Sequence, residues 1–307
     1  MHGRTQTDEI VSEYASVSDD DQSHGGAAMV DVLAQRYEAV KDRIAIAAKK
    51  SGRRPEDIYL VAVTKNAEPE QIRRLIALGH RDFGENRVQQ LIQRVAMVEE
   101  YFDRLRVLPS AVQAAKTKAE LHAGRFGEDQ RETGSTNEKI RWHMIGHLQR
   151  NKARKVVPLC RLVHSVDSLR LAEEIQQVAL RCEEPVEVLV QVNCSEEPQK
   201  CGCPIAAAKT LAEQIGTMIN VRVRGLMTLA RQSDDPSVAQ ASFSRCREIF
   251  EDIRRSGAGD GRFNILSMGM SNDFEIAIQE GANIVRVGSA IFGQMPAPDQ
   301  AHEESTR

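Results

Sequence analysis

The sequence predicts an α/β fold, a single-domain (β/α)8 barrel of the TIM type, and three observations carry the prediction. Eight strand-length apolar runs lie between residues 58 and 287, each separated from the one before by a helical pattern. The last two, Ile265–Leu266 and Ile284–Val287, enclose one helix and read as a βαβ unit with parallel strands. Residues suited to chemistry gather where the runs end, at Lys65, Asn86, His147, Asn193, Met227, Ser271 and Arg286 to Ser289. In a closed barrel all of these share the C-terminal mouth. An open doubly wound sheet is the alternative, and it would scatter them to both sides of a switch point.

Residues 1–28 are acidic and nearly free of apolar periodicity, so they read as a disordered tail. The barrel is expected over 29–294, with 295–307 as a second disordered tail. Val30 to Ser51 carries Val30, Leu33, Tyr37, Val40, Ile44 and Ala47 at helical spacing, and Gly52 closes that helix. It is placed to cover the gap after the eighth strand. Ile58–Val63 is strand one, nearly continuous in apolar residues as a doubly covered strand should be. A helix over Pro69–Gly79 buries Ile72, Leu75 and Ile76. Asp82–Gly84 is strand two, running into a helix from Glu85. Residues 110–138 turn polar and charged and read as a surface insertion.

Ile140–Ile145 is strand three, and Leu148–Lys152 opens a basic helix whose plainest reading is a solvated face. Leu162–Val166 is strand four, with Leu169–Arg181 as its helix. Val186–Val192 is strand five, followed by the loop Cys194–Pro204 and a helix over 205–218. Val221–Thr228 is strand six, and a long helix runs from Ser237 to Ser256. Phe274, Ala277 and Ile278 share one face of the helix between strands seven and eight, with Ser271 or Asn272 as its N-cap and Gly281 as its stop.

Composition narrows the function classes. With 307 residues and a net charge of −3 the chain has no general field for nucleic acid or an anionic membrane. No apolar run approaches the ~20 residues that span a bilayer, and the N-terminus has no apolar signal core. Six scattered cysteines suggest reduced thiols and a cytoplasmic protein. Cys201-Gly-Cys203 has the wrong spacing for a zinc ribbon, and no metal is expected.

The turns Gly269–Ser271 and Gly288–Ser289 place small residues at one sheet edge, where backbone N–H groups can grip a phosphate, with Arg286 just before the second turn. A strand-end lysine on the same mouth brings two ligand classes forward. One is a sugar phosphate held as a Schiff base on Lys65, and the other is pyridoxal 5′-phosphate (PLP). A guanidinium beside the pyridine nitrogen disfavours its protonation and weakens the ring as an electron sink. Such a site suits racemisation, or holding the cofactor, better than demanding carbanion chemistry.

Several motifs then agree with one family. Leu60-Val-Ala-Val-Thr-Lys65, Phe83-Gly-Glu-Asn-Arg-Val-Gln89, Trp142-His-Met-Ile-Gly-His-Leu-Gln-Arg-Asn-Lys152, His164-Ser-Val-Asp167, Gln191-Val-Asn193, Arg224-Gly-Leu-Met227, Leu266-Ser-Met-Gly-Met-Ser271 and Val285-Arg-Val-Gly-Ser-Ala-Ile-Phe-Gly293 resemble the pyridoxal phosphate homeostasis proteins. The resemblance implies the barrel domain shared with alanine racemases, with Lys65 carrying the internal aldimine. It implies Asn86 near the ring, Arg286 at the pyridine nitrogen, and Ser271, Gly288 and Ser289 on the phosphate. Met227 and Met268 would line the ring pocket, although Met227 reads equally well as plain core. Ser289 stands where threonine is usual in the family. The tail, the insertion and Cys201-Gly-Cys203 depart from its pattern.

Racemases of the related type use a second base, a tyrosine from another domain or subunit. Residues 294–307 are too few for such a domain, and none of Tyr14, Tyr37, Tyr59 and Tyr101 falls at a strand end. One base gives no route for returning a proton from the opposite face. The sequence therefore points to a non-catalytic, monomeric PLP carrier that passes its cofactor to PLP-requiring apoenzymes. A PLP-dependent racemase-like enzyme is the alternative.

Overall fold

The computed structural model describes residues 31–107 and 139–293, apart from 183, 198 and 260. The tails and the 110–138 insertion expected from sequence lie outside the described residues. Eight parallel strands close into a barrel in sequence order, so the doubly wound alternative is excluded. They are β1 (Tyr59–Val63), β2 (Asp82–Glu85), β3 (Arg141–Met144), β4 (Leu162–Val166), β5 (Val186–Gln191), β6 (Val221–Met227), β7 (Ile265–Ser267) and β8 (Ile284–Val287). The helices are α1 (Val32–Lys50), α2 (Pro69–Ala77), α3 (Val88–Val107), α4 (Arg150–Val156), α5 (Leu169–Ala179), α6 (Ile205–Gly216), α7 (Pro236–Arg255), α8 (Phe274–Gln279) and α9 (Ser289–Phe292).

Alternation along each strand divides the side chains into two cores. Outward residues such as Phe83, Trp142, Val163 and Leu266 pack beneath the helices, joined by Ile72 and Leu75 of α2 and Phe243 of α7. Each such side chain contributes roughly 1.5–3 kcal/mol by leaving water. Inward residues form a much smaller apolar group of Val61, Leu162, Leu189, Met227 and Ile284. Polar side chains occupy the remaining barrel interior.

Tyr37, Val40, Ile44, Ala47 and Ala48 are the buried stripe of α1. From the same region Arg43 pairs with Glu275 of α8 at 2.6 Å, and Arg53 donates to the Ala282 carbonyl at 2.7 Å. The N-terminal helix thus flanks the last βα unit, beside the seam where β8 meets β1.

One expectation is corrected at α8. Its N-cap is Asp273, not Ser271 or Asn272. The Asp273 carboxylate accepts the Met270 N–H at 2.6 Å, which tightens the preceding turn and leaves Ser271 free for other partners.

Candidate functional site

The mouth is organised around the seam between β1 and β8. Val61 lies opposite Arg286 and Ala62 opposite Val287, so the next step brings Val63 beside Gly288. A Cβ added to Gly288 would stand 3.3 Å from the Val63 Cβ and 3.2 Å from the Val63 carbonyl oxygen. Lys65 follows two residues beyond Val63, in the turn that leaves β1. Its side chain is exposed, and its ammonium has no partner among the described residues.

The turn after β7 supplies the other wall. Gly269 has φ +90°, and a Cβ there would come within 2.8 Å of the Phe274 backbone, so only glycine fits. That tight turn delivers Ser271 to the turn after β8. Its hydroxyl oxygen accepts the N–H groups of Gly288 and Ala290, both at 3.3 Å. These bonds are long, so two backbone donors converge on one weakly held oxygen. Ser289, exposed, opens α9 beside them. The two small-residue turns read from sequence are thus in contact.

Arg286 is buried (3 % exposed) and points into the barrel. Its Nη1 donates to Ser267 Oγ at 2.6 Å and its Nη2 to the Thr228 carbonyl at 2.9 Å. Burial pushes its pKa down to about 10, against the opposing charge of Asp273, so it stays cationic at neutral pH.

Lys65 and Asn86 share a recess of about 590 Å³ with Arg87, Gln90 and Arg94. Asn86 reaches it because Gly146 admits its backbone: a Cβ on Gly146 would fall 2.1 Å from the Asn86 carbonyl oxygen. Asn86 Oδ1 is buried without a hydrogen-bond partner. Ser271, Gly288 and Ser289 do not line this recess; the register of the seam is what relates them to Lys65. Met227 ends β6 within the interior group. Met268 does not join it. It packs in the outer core beneath the helices, because Ser267 faces inward and its successor must face out.

Sequence reading missed the polar barrel interior. Ser267 Oγ lies 3.0 Å from His164 Nδ1, His164 Nε2 lies 3.0 Å from His143 Nδ1, and His143 Nε2 lies 3.0 Å from Asp82 Oδ1. Arg141 grips the same carboxylate with two bonds, at 2.8 and 2.6 Å. Burial raises the Asp82 pKa, but the hydrogen bonds from Arg141 and His143 outweigh it and hold the carboxyl well below its ordinary range. The available signal was a histidine at an inward position of each of two apolar strands, β3 and β4.

No group of three or more His, Cys, Asp or Glu among the described residues is arranged to hold a metal ion. All six cysteines are free. No helix among the described residues is long and apolar enough to cross a membrane.

The class of protein follows from a closed parallel barrel with this mouth, and it agrees with a family model: alanine racemase, N-terminal domain, matches residues 36–296. The chain is 32% identical over 264 residues to a pyridoxal phosphate homeostasis protein of Pseudomonas aeruginosa, covering 86% of this chain and 96% of the relative. Among solved structures, PipY of Synechococcus elongatus with PLP bound is 29% identical, with a TM-score of 0.63, over 85% of this chain and 100% of that one. A protein from Bifidobacterium adolescentis described as unknown is 36% identical, with a TM-score of 0.69, over 87% of this chain and 98% of that one. This chain belongs to the pyridoxal phosphate homeostasis protein family.

Proposed function

We propose that this protein binds pyridoxal 5′-phosphate at the barrel mouth and serves intracellular PLP homeostasis, holding the cofactor without catalytic turnover. The observation that carries the reading is the β1–β8 seam. It sets an unpaired lysine, a turn with converging N–H donors and a buried guanidinium on adjacent strands.

The residues fit the group. Lys65 would hold the cofactor through its side-chain amine. Ser271, Gly288 and Ser289 would hold the phosphate, with the weakly bonded Gly288 and Ala290 N–H groups as further donors to it. Arg286 would serve the ring nitrogen, Asn86 with its orphaned Oδ1 would lie beside the ring, and Met227 would close the floor. Bound PLP supplies an electrophilic carbon and an electron sink, and a charged Arg286 at the ring nitrogen weakens that sink.

A racemase-like enzyme needs a second base at the mouth. Among the described tyrosines, Tyr37 is bonded to His80 at 3.1 Å beneath α1, Tyr59 starts β1 at the opposite end, and Tyr101 lies on α3. These placements support the carrier reading, and we propose transfer to PLP-requiring apoenzymes as its physiological step. We place the protein in the cytoplasm, a setting that suits six free thiols, and we propose that it acts as a monomer.

The test is to titrate the protein and its Lys65→Ala variant with PLP, following visible absorbance, and to incubate the loaded protein with alanine in deuterated water. A lysine-dependent band without α-proton exchange is expected. An unchanged band in the variant moves the link to another amine, and exchange at a catalytic rate makes the protein an enzyme.

A further inference from the structure

We propose that Ser267 and His164 are positioning residues for Arg286, the first links of a hydrogen-bond chain of single polarity that ties its guanidinium, through His143, to the Asp82 carboxylate at the opposite end of the barrel. The effect on PLP rests on the reading of the mouth given above; the polarity of the chain does not.

The two ends, together with a single ring proton on His143, set the polarity. Arg286 only donates, so Ser267 Oγ accepts from Nη1 at 2.6 Å. The Asp82 carboxylate only accepts, so the proton between it and His143 sits on His143 Nε2. Where His143 carries that one proton only, its Nδ1 is bare and accepts from His164 Nε2–H at 3.0 Å. His164, held neutral chiefly by burial and also by the nearby charge of Arg286, has a bare Nδ1 in turn. It accepts the Ser267 hydroxyl hydrogen at 3.0 Å. Every hydrogen has a place, and each link donates toward Asp82. The reverse arrangement would point His164 Nδ1–H at Ser267 and leave the serine hydrogen outside the chain.

Asp82 and Arg141 begin β2 and β3, whereas Arg286 lies in the C-terminal half of β8. The chain therefore crosses the barrel interior from its base to its mouth. Low-dielectric surroundings strengthen such linked bonds, and a fully satisfied network specifies one arrangement of its members. The consequence is a guanidinium fixed by Ser267 and the Thr228 carbonyl, with its remaining N–H groups left for a ligand. Asp273 is the charged carboxylate that bears on it directly.

The experiment uses full-length protein labelled with ¹⁵N-histidine, without PLP, and records long-range ¹H–¹⁵N correlations at neutral pH. Both His143 and His164 are expected as neutral Nε2–H tautomers. A His164 with its proton on Nδ1 would overturn the polarity. In Ser267→Ala, His164 Nδ1 loses its donor, and its ¹⁵N resonance is expected to move toward that of an unbonded ring nitrogen while the proton stays on Nε2, with Ser267→Thr restoring the original pattern. Histidine signals that ignore both changes would overturn the coupling.

The PLP dissociation constant is expected to rise at least tenfold in Ser267→Ala and to recover in Ser267→Thr. Unchanged affinity would overturn the positioning role. Should Ser267→Ala fail to fold, the wild-type tautomers and the Ser267→Thr affinity still decide. Failure of Lys65→Ala to alter PLP absorbance would count against the mouth reading while leaving the tautomer result intact.

Discussion

Val63 and Gly288 meet across the β1–β8 seam so closely that the carbonyl oxygen of Val63 would lie 3.2 Å from a Cβ on Gly288. That contact sets how near the lysine turn can come to the Gly288–Ser289 turn. A Gly288→Val substitution pushes the two strands apart where both must reach one ligand. Overpacking of this kind costs ~1–3 kcal/mol, and the expected result is a PLP dissociation constant raised roughly tenfold or more. Equilibrium titration by absorbance measures it. An affinity equal to wild type would show that the seam spacing does not matter for binding.

Ser271 joins the two turns through one hydroxyl that accepts two backbone N–H groups. Ser271→Ala removes both bonds. At ~0.5–1.5 kcal/mol per net bond, urea unfolding should show a loss of about 1 kcal/mol, and PLP should bind about tenfold more weakly. Ser271→Thr keeps the oxygen and should stay close to wild type.

Acid should destabilise the fold in two separate windows. His80 is buried with its ring edge-on to Phe83, its Nε2 2.7 Å from the Asp82 carbonyl and its Nδ1 3.1 Å from the Tyr37 hydroxyl. Burial pushes its pKa down to about 4. The unfolded chain, with an ordinary histidine near 6.5, takes up a proton that the folded chain refuses. The stabilisation is therefore complete above about pH 6.5 and drains away toward pH 4, on the order of 3 kcal/mol at 1.36 kcal/mol per pKa unit. His164, pushed down in the same direction, adds to that slope. Asp82 acts lower, because its depressed carboxyl stabilises above the ordinary carboxylate pKa and loses that effect as pH falls further. Urea midpoints at pH 7.5 and pH 5 should differ less in His80→Gln than in wild type. Equal differences would remove His80 from the account.

The barrel was legible because its strands are covered on both sides. Runs such as Ile58–Val63 and Val186–Val192 are apolar almost throughout, and helical pattern divides them. The mouth was legible at Lys65, Arg286 and the two small-residue turns because glycine and serine punctuate strand ends. What lay hidden depends on closure and on strand parity. Asp82, His143, His164, Ser267 and Arg286 come from five strands, and only a closed barrel turns them toward one another. Met268 was misplaced for want of that parity. Nothing local says that Ser267 faces in until its bond to Arg286 is seen. The α8 cap was misread because Asp273, serine and asparagine are all good caps, and the Ser271 hydroxyl is claimed by β8's turn.

The central claim is that one amine, at the end of β1, and the turns at 271 and 288 serve one PLP molecule. Reduction of the PLP-loaded protein with borohydride, followed by peptide mapping, reads the attachment point directly. The account predicts a single pyridoxyl group on Lys65, lost when free phosphate-bearing competitor displaces PLP before reduction. Label on a different lysine, or none on a protein that retains PLP, would contradict it.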